Sequence, residues 1–193
     1  NERAALAEAL MVADLADFAQ HGAVDGARSR EALEIFEELS DLPREGQARG
    51  NLGFLAANGA RWDEAVHWIE TSRAACLRSG DAVGSALGDL NLGEILLNQC
   101  RPEEAEPGLE AAVRVLRSVG FADGAAYAEL QLARAWCEFG RLDDADEALL
   151  RVAVEFTELG QASSALDAAL VRADIRLRRG DPVAALDLVE LSE

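Results

Sequence analysis

Lysine is absent from this 193-residue sequence. All 18 of its basic residues are arginine, set against 36 acidic ones, and the formal net charge is -18. A surplus of that sign repels nucleic-acid backbones and anionic membrane surfaces, so it argues against both as partners. Alanine and arginine in place of lysine read as a GC-rich, bacterial coding bias. Aromatic residues make up only 5% of a sequence that is 50% hydrophobic, and alanine dominates the apolar share. Small apolar residues with few aromatics suit closely packed helices better than a sheet, because alanine is the best helix former and strands favour β-branched and aromatic residues. The cysteines are Cys76, Cys100 and Cys137, an odd count with no C-x-x-C pair. That spacing excludes the usual metal and dithiol motifs and fits a reduced, cytoplasmic setting. No apolar run is long enough to span a membrane, and the N-terminal residues do not form a secretory signal. The first residue is Asn1 and the last residues continue a helical pattern, which predicts a piece of a longer protein.

What the sequence does contain is an internal repeat. Ala105 matches Ala65, Ala145 and Ala185 at a spacing of 40 residues. Gly93 matches Gly53, Ala133 and Ala173, and Gly120 matches Gly80 and Gly160. Landmarks held in register at this period mark a solenoid or array. Each unit reads as a helical hairpin, for example Asn91 to Gly120, with a turn near Cys100-Arg101 and a second helix from Pro102. Five units follow, at about 3–40, 41–80, 81–120, 121–160 and 161–193, in one array without a low-complexity linker. In the first, Gln20 to Ala23 breaks the helix, and Ala32 precedes Ala65 by 33 residues, which places this hairpin off the repeat register. The last unit lacks the closing turns of its second helix. Asp41 can cap the helix that Pro43 opens. Gly80, Gly120 and Gly160 stand where a helix end needs a left-handed residue. Pro107, well inside a helix, predicts a bend or a frayed first turn.

The spacing within each unit resembles the tetratricopeptide repeat. Leu52-Gly53 leads after twelve residues to Ala65 and then Ile69. Leu92-Gly93 leads likewise to Ala105 and Leu109, Leu132-Ala133 to Ala145 and Leu149, and Ala173 to Ala185 and Val189. Small residues at these places let two helices cross closely. The sequence departs from the pattern where an aromatic is expected on the first helix: Ala56, Leu96 and Arg176 stand there, and only Trp136 keeps it. The stretches from Asn51 to Arg73 and from Leu87 to Gly120 are also similar to the C-terminal repeats of bacterial adenylate/guanylate cyclase-type and STAND-type regulators. The resemblance implies an all-α, right-handed superhelical solenoid of about five antiparallel helix pairs. It further implies a non-catalytic interaction module of a signalling or transcriptional regulator.

On the repeat pattern the first helix of each pair lines a concave groove. The candidate partner-binding residues are Gln47, Asn51, Phe54 and Asn58; Asn91, Glu94 and Asn98; and Tyr127, Gln131, Arg134 and Glu138. Leu87 and, in the fifth unit, Asp167, Asp174 and Arg178 extend the same face. Asn51, Asn91 and Gln131 recur one per unit, and an amide is both donor and acceptor. A ladder of amides can hold the backbone of an extended peptide; the competing reading is that each amide bonds a neighbouring helix or water. Mixed charge along the groove suits a mixed or basic partner better than an acidic tail. Trp62, Trp68 and Trp136 read chiefly as packing residues, with Trp62 half exposed, and Cys100 and Cys137 as small apolar packers. His21 and His67 have no second ligand at helical spacing, and no nucleophile motif or phosphate loop occurs. No catalytic residue, metal or cofactor is therefore expected. The expected partner is a protein or peptide, with pairing of two copies through exposed end units as a further contact. The alternative reading is a small-molecule effector sensor.

Overall fold

A computed structural model describes residues 2–22 and 24–190 of the chain. Of the predicted break from Gln20 to Ala23, only Ala23 lies outside the described residues, as do residues 191–193 at the predicted end of the fifth unit; the first helix ends at His21, within the predicted break. Among those described there are ten helices and no strand: α1 (Glu2–His21), α2 (Ala27–Glu38), α3 (Leu42–Asn58), α4 (Trp62–Ser79), α5 (Ala82–Asn98), α6 (Pro102–Ser118), α7 (Ala122–Glu138), α8 (Leu142–Glu158), α9 (Ala162–Arg178) and α10 (Pro182–Glu190). The chain divides into two compact units, Asn1–Ile95 and Leu96–Glu193. In the first, α3 packs on both α2 and α4; in the second, each helix from α6 to α10 packs on the next.

The turns are more regular than the 40-residue repeat implies. Ser40, Ala60, Gly80, Cys100, Gly120, Gly140, Gly160 and Gly180 all have positive φ, one every twentieth residue. At each, the next residue's N–H reaches back five residues to a helix carbonyl, as Asp41 does to Phe36 at 3.0 Å and Arg141 to Trp136 at 2.9 Å. This is the Schellman closure, which satisfies carbonyls that the helix end leaves open. Every turn from Ser40 to Gly180 uses it, so the helices α3 to α9 are held to 17 or 18 residues. The glycines expected to be left-handed are so; Ser40, Ala60 and Cys100 adopt the same conformation without being glycine, at φ 54, 55 and 57. Cys100 is exposed in its turn, which corrects its reading as a packer; Cys137 is buried in the core of the second unit.

The first hairpin also differs from expectation. Its end is in register, because Ser40 stands one interval before Ala60. Phe36, Cys76, Leu116 and Phe156 are all buried at one spacing of 40. The true counterpart of Ala32 is thus Ser72, and the irregularity lies at the start of α2, which begins only at Ala27. There Gly26 provides no side-chain cap. The buried Asp14 carboxylate on α1 accepts instead from the Ser29 N–H at 2.7 Å, capping α2 from outside. α6 runs unbroken through Pro107. Its first bonds, from the N–H groups of Glu104 and Ala105 to Arg101 O, are both 3.3 Å, against 2.9 Å for the matching bond of Ala65 to Arg61. The matching bonds of Ala145 and Ala185 are 3.1 and 3.2 Å, so the proline neither ends the helix nor sets its first turn apart.

A left-handed non-glycine residue costs about 1–2 kcal/mol. Ala60→Gly and Cys100→Gly are each expected to raise unfolding stability by about 1 kcal/mol in urea titration. Gly120→Ala is expected to lower it by a similar amount, about 1 kcal/mol. Destabilisation by Ala60→Gly would show that the turn does not depend on this conformation.

Candidate functional site

The first unit contains a cleft of about 600 Å³ between α3 and α5, floored by α4. It draws on an unusual set of helix-interior glycines. A glycine there costs about 1 kcal/mol against alanine, so each one needs a reason. For most the reason is close approach to α4. A Cβ on Gly53 would lie 2.6 Å from Ile69 Cγ1, one on Gly88 2.9 Å from Arg73 Cγ, and one on Gly46 3.1 Å from Cys76 Sγ. The same proximity lets Ser72 Oγ donate to Gly46 O at 2.7 Å, a buried bond between helices.

Gly50 is different. Its Cβ would have only one neighbour within 4 Å, Ser72 Oγ at 3.4 Å, an ordinary contact. The repeat itself shows what this position can hold: Leu90, Leu130 and Leu170 stand at successive intervals of 40. Leu90 and Leu130 are buried, at 4% and 1% exposure. Packing therefore does not require glycine at position 50. Its effect is to remove a leucine side chain from the wall of the cleft.

The cleft brings together several of the predicted groove residues. Gln47, Asn51, Phe54, Leu87 and Asn91 line it, with Asn51 and Asn91 partly accessible on facing helices. Phe54 is 41% exposed and leans edge-on against Phe18, ring centroids 5.1 Å apart. Asn58, by contrast, donates through Nδ2 to Phe54 O at 2.9 Å and is committed to its own helix. Glu94 is partly buried one turn beyond Asn91. Two charged residues also border the cleft, Arg44 and Asp81. Arg44 is already paired, its Nε and Nη1 each 2.6 Å from a carboxylate, of Glu8 and Asp41. The Asp81 carboxylate caps α5 by accepting from Gly84 N–H at 2.8 Å. Burial pushes the Cys76 thiol at this end of the cleft above its ordinary pKa, and the charge of Asp81 adds to that, so the thiol is kept protonated and unreactive.

The corresponding residues of the second unit are arranged otherwise. Gln131 is 2% exposed, and its Oε1 accepts from Arg134 Nη1 at 2.7 Å. It is therefore not an open rung, a correction to the amide ladder. Asn98 lies at 3.5 Å from Arg134 Nη2. Tyr127 is packed against the core of this unit. A smaller cavity of about 260 Å³ includes Arg134, Glu138, Asp174 and Arg178. There Arg178 bonds Glu138 at 2.9 Å and Asp174 at 2.7 Å, so its charges are compensated internally. Asp167 is exposed on α9. The tryptophans pack as expected. Trp68 and Trp136 lie against core clusters and donate to Glu64 at 3.3 Å and Glu106 at 3.1 Å; Trp62 is partly exposed. Among the described residues no group of three or more His, Cys, Asp or Glu side chains could hold a metal ion, and no helix is long and apolar enough to cross a membrane. The sequence reading passed over Gly50 and Asp81. The signal for Gly50 was present in the aligned series Gly50, Leu90, Leu130, Leu170.

No family model matches the chain, and no curated protein matches it. Solved structures do. A Podospora anserina protein described as a kinesin light chain with nearly identical TPR-like repeats has TM-score 0.68 and 17% identity, over 100% of this chain and 94% of that one. Aspartyl phosphate phosphatase F from Bacillus subtilis has TM-score 0.76 and 14% identity, over 100% of this chain and 61% of that one. The Rap conjugation gene regulator of plasmid pLS20, solved with the Phr* peptide, has TM-score 0.72 and 12% identity, over 86% of this chain and 46% of that one. The chain thus spans less than half the length of the Rap regulator. At these identities the likeness is one of fold: the chain is an all-α, tetratricopeptide-like helical repeat.

Gly50→Ala is expected to leave stability unchanged or raise it by up to about 1 kcal/mol. Gly53→Ala is expected to cost about 1–3 kcal/mol through its clash with Ile69. Equal losses from both, measured by thermal unfolding, would show that Gly50 is needed for packing.

Proposed function

We propose that the chain is a non-catalytic interaction module that holds an extended protein or peptide segment in the cleft between α3 and α5. The observation that carries this reading is the pairing of Asn51 and Asn91 across one cleft, beside the exposed ring of Phe54. Two amides on facing helices can bond the N–H and C=O groups of a segment laid between them, while an exposed aromatic is the kind of residue that anchors an interface. The peptide bound to the Rap regulator supports the reading by analogy of fold. We place the module in a bacterial, cytoplasmic signalling or transcriptional regulator of the cyclase-like or STAND type, on the sequence resemblance of its repeats. Pairing of two copies is a second contact that we infer from the apolar side chains exposed toward the C-terminal end, Leu170, Leu177, Val183 and Leu186. Sedimentation showing only monomer across the accessible concentration range would remove it.

One observation favours the alternative of a small-molecule effector: the volume of about 600 Å³ lies in the range of ligand pockets, about 300–1,000 Å³. Selection of short random peptides, run beside a metabolite screen by thermal shift, separates the two. Peptides enriched against the wild-type chain are expected to lose about five- to tenfold affinity on Asn91→Ala, the loss of one or two hydrogen bonds, with the melting temperature unchanged. They are expected to lose measurable binding on Gly50→Leu. Stabilisation by a metabolite and none by any peptide would transfer the cleft to the effector reading. Full binding by both variants would remove it as the site.

A further inference from the structure

The charges at the rim of the cleft specify more than a segment of unspecified sequence. We propose that the cleft selects a basic residue: an arginine or lysine of the bound segment lays its aliphatic stem along the cleft and sets its cation against Asp81. This rests on the peptide-holding reading above and names the side chain that the site reads.

Arg44 and Asp81 are the two charged residues that line the cleft, and they are not equivalent. Arg44 is compensated twice, by Asp41 and Glu8. Among the described residues no arginine lies within ion-pair distance of Asp81, whose carboxylate accepts from the Gly84 N–H and borders the Cys76 thiol. A carboxylate has capacity for several hydrogen bonds and a full charge to pair. The cleft therefore presents an unpaired negative charge at one end, in a chain whose net charge is -18. Both fields favour a cation and disfavour an acidic group.

The shape agrees with the charge. Asp81 stands with Cys76 and Gly84 at the end of the cleft nearest Gly46, whereas Asn51, Phe54 and Asn91 line the other end. Gly46 and Asn51 are five residues apart on α3, about 7.5 Å along the axis at the helical rise. A segment whose backbone is held by the two amides has to extend a long side chain to reach Asp81. The intervening wall is free of side-chain bulk at Gly50, whose missing Cβ would meet only Ser72 Oγ. A methylene stem suits such a channel, since arginine and lysine bury their stems on apolar surface while the charged head stays solvated. A leucine would fill the channel and leave Asp81 unpaired; a glutamate would meet a like charge.

The test is peptide selection on the full chain followed by a variant. Short random peptides enriched on the wild type are expected to carry Arg or Lys at one shared position. Replacing that residue by norleucine, which keeps the stem and removes the cation, is expected to lower affinity about tenfold. Asp81→Asn is expected to cost the same peptide a similar factor and to leave the norleucine peptide unaffected, so that the two changes are not additive. Asparagine also caps helices well, and an unchanged melting temperature is the check that α5 is intact. Enriched peptides without a shared basic position, or equal binding by wild type and Asp81→Asn, would overturn the selection of a basic residue while leaving peptide holding in place. Enrichment of no peptide at all would overturn both.

Discussion

The structure depends on one backbone constraint, a left-handed residue at every twentieth position. Each such residue lets the next N–H close the preceding helix, and the helix after it starts anew in the same phase. Helices α3 to α9 are 17 or 18 residues long for this reason, and a given position in one hairpin can be compared with its counterparts 40 residues away. Only because that register is strict does Gly50 stand out. At its equivalents the chain places Leu90, Leu130 and Leu170, and two of these are buried to 4% exposure or less.

Glycines in the first unit serve two purposes that sequence cannot separate. Gly53 and Gly88 let α3 and α5 approach α4 to distances that a methyl group would block. Gly50 has room for a methyl group and lines an open cleft instead. The helix loses intrinsic stability at all three. At the first two, dispersion contacts with Ile69 and Arg73 offset the loss; at Gly50 a methyl group would meet only Ser72 Oγ, at an ordinary 3.4 Å, so close packing does not call for glycine there and its openness is tied to the proposed recognition. The second unit shows the contrasting solution. Ala126, Ala128 and Leu130 occupy the positions of Gly46, Gly88 and Gly50, and ion pairs about Arg178 bridge its small cavity.

Much of the fold was legible because it is periodic. Matching Ala65, Ala105, Ala145 and Ala185 located the hairpins, and Gly80, Gly120 and Gly160 located three of the eight left-handed turn residues. The turn near Cys100-Arg101 was legible as well, but not its left-handed residue, because Ser40, Ala60 and Cys100 take a conformation usually reserved for glycine. The first hairpin misled for a related reason: its α2 is capped by Asp14 from another helix, an interaction without a local sequence signal. The binding face was partly legible. Asn51, Asn91 and Phe54 could be placed on one side of their helices from spacing alone. Gln131 shares their spacing yet is buried, because Arg134, three residues on, draws its oxygen into a bond that a repeat alignment does not reveal.

The central claim is that recognition occurs at the cleft between α3 and α5, through the amides of Asn51 and Asn91. Its most direct test is NMR observation of the side-chain amide resonances of Asn51, Asn91 and Gln131 while a selected peptide is titrated into the labelled chain. Saturable shifts of the Asn51 and Asn91 amides, with Gln131 unmoved, are the predicted result. Shifts confined to α9 and α10, with both asparagine amides unmoved at saturation, would contradict it.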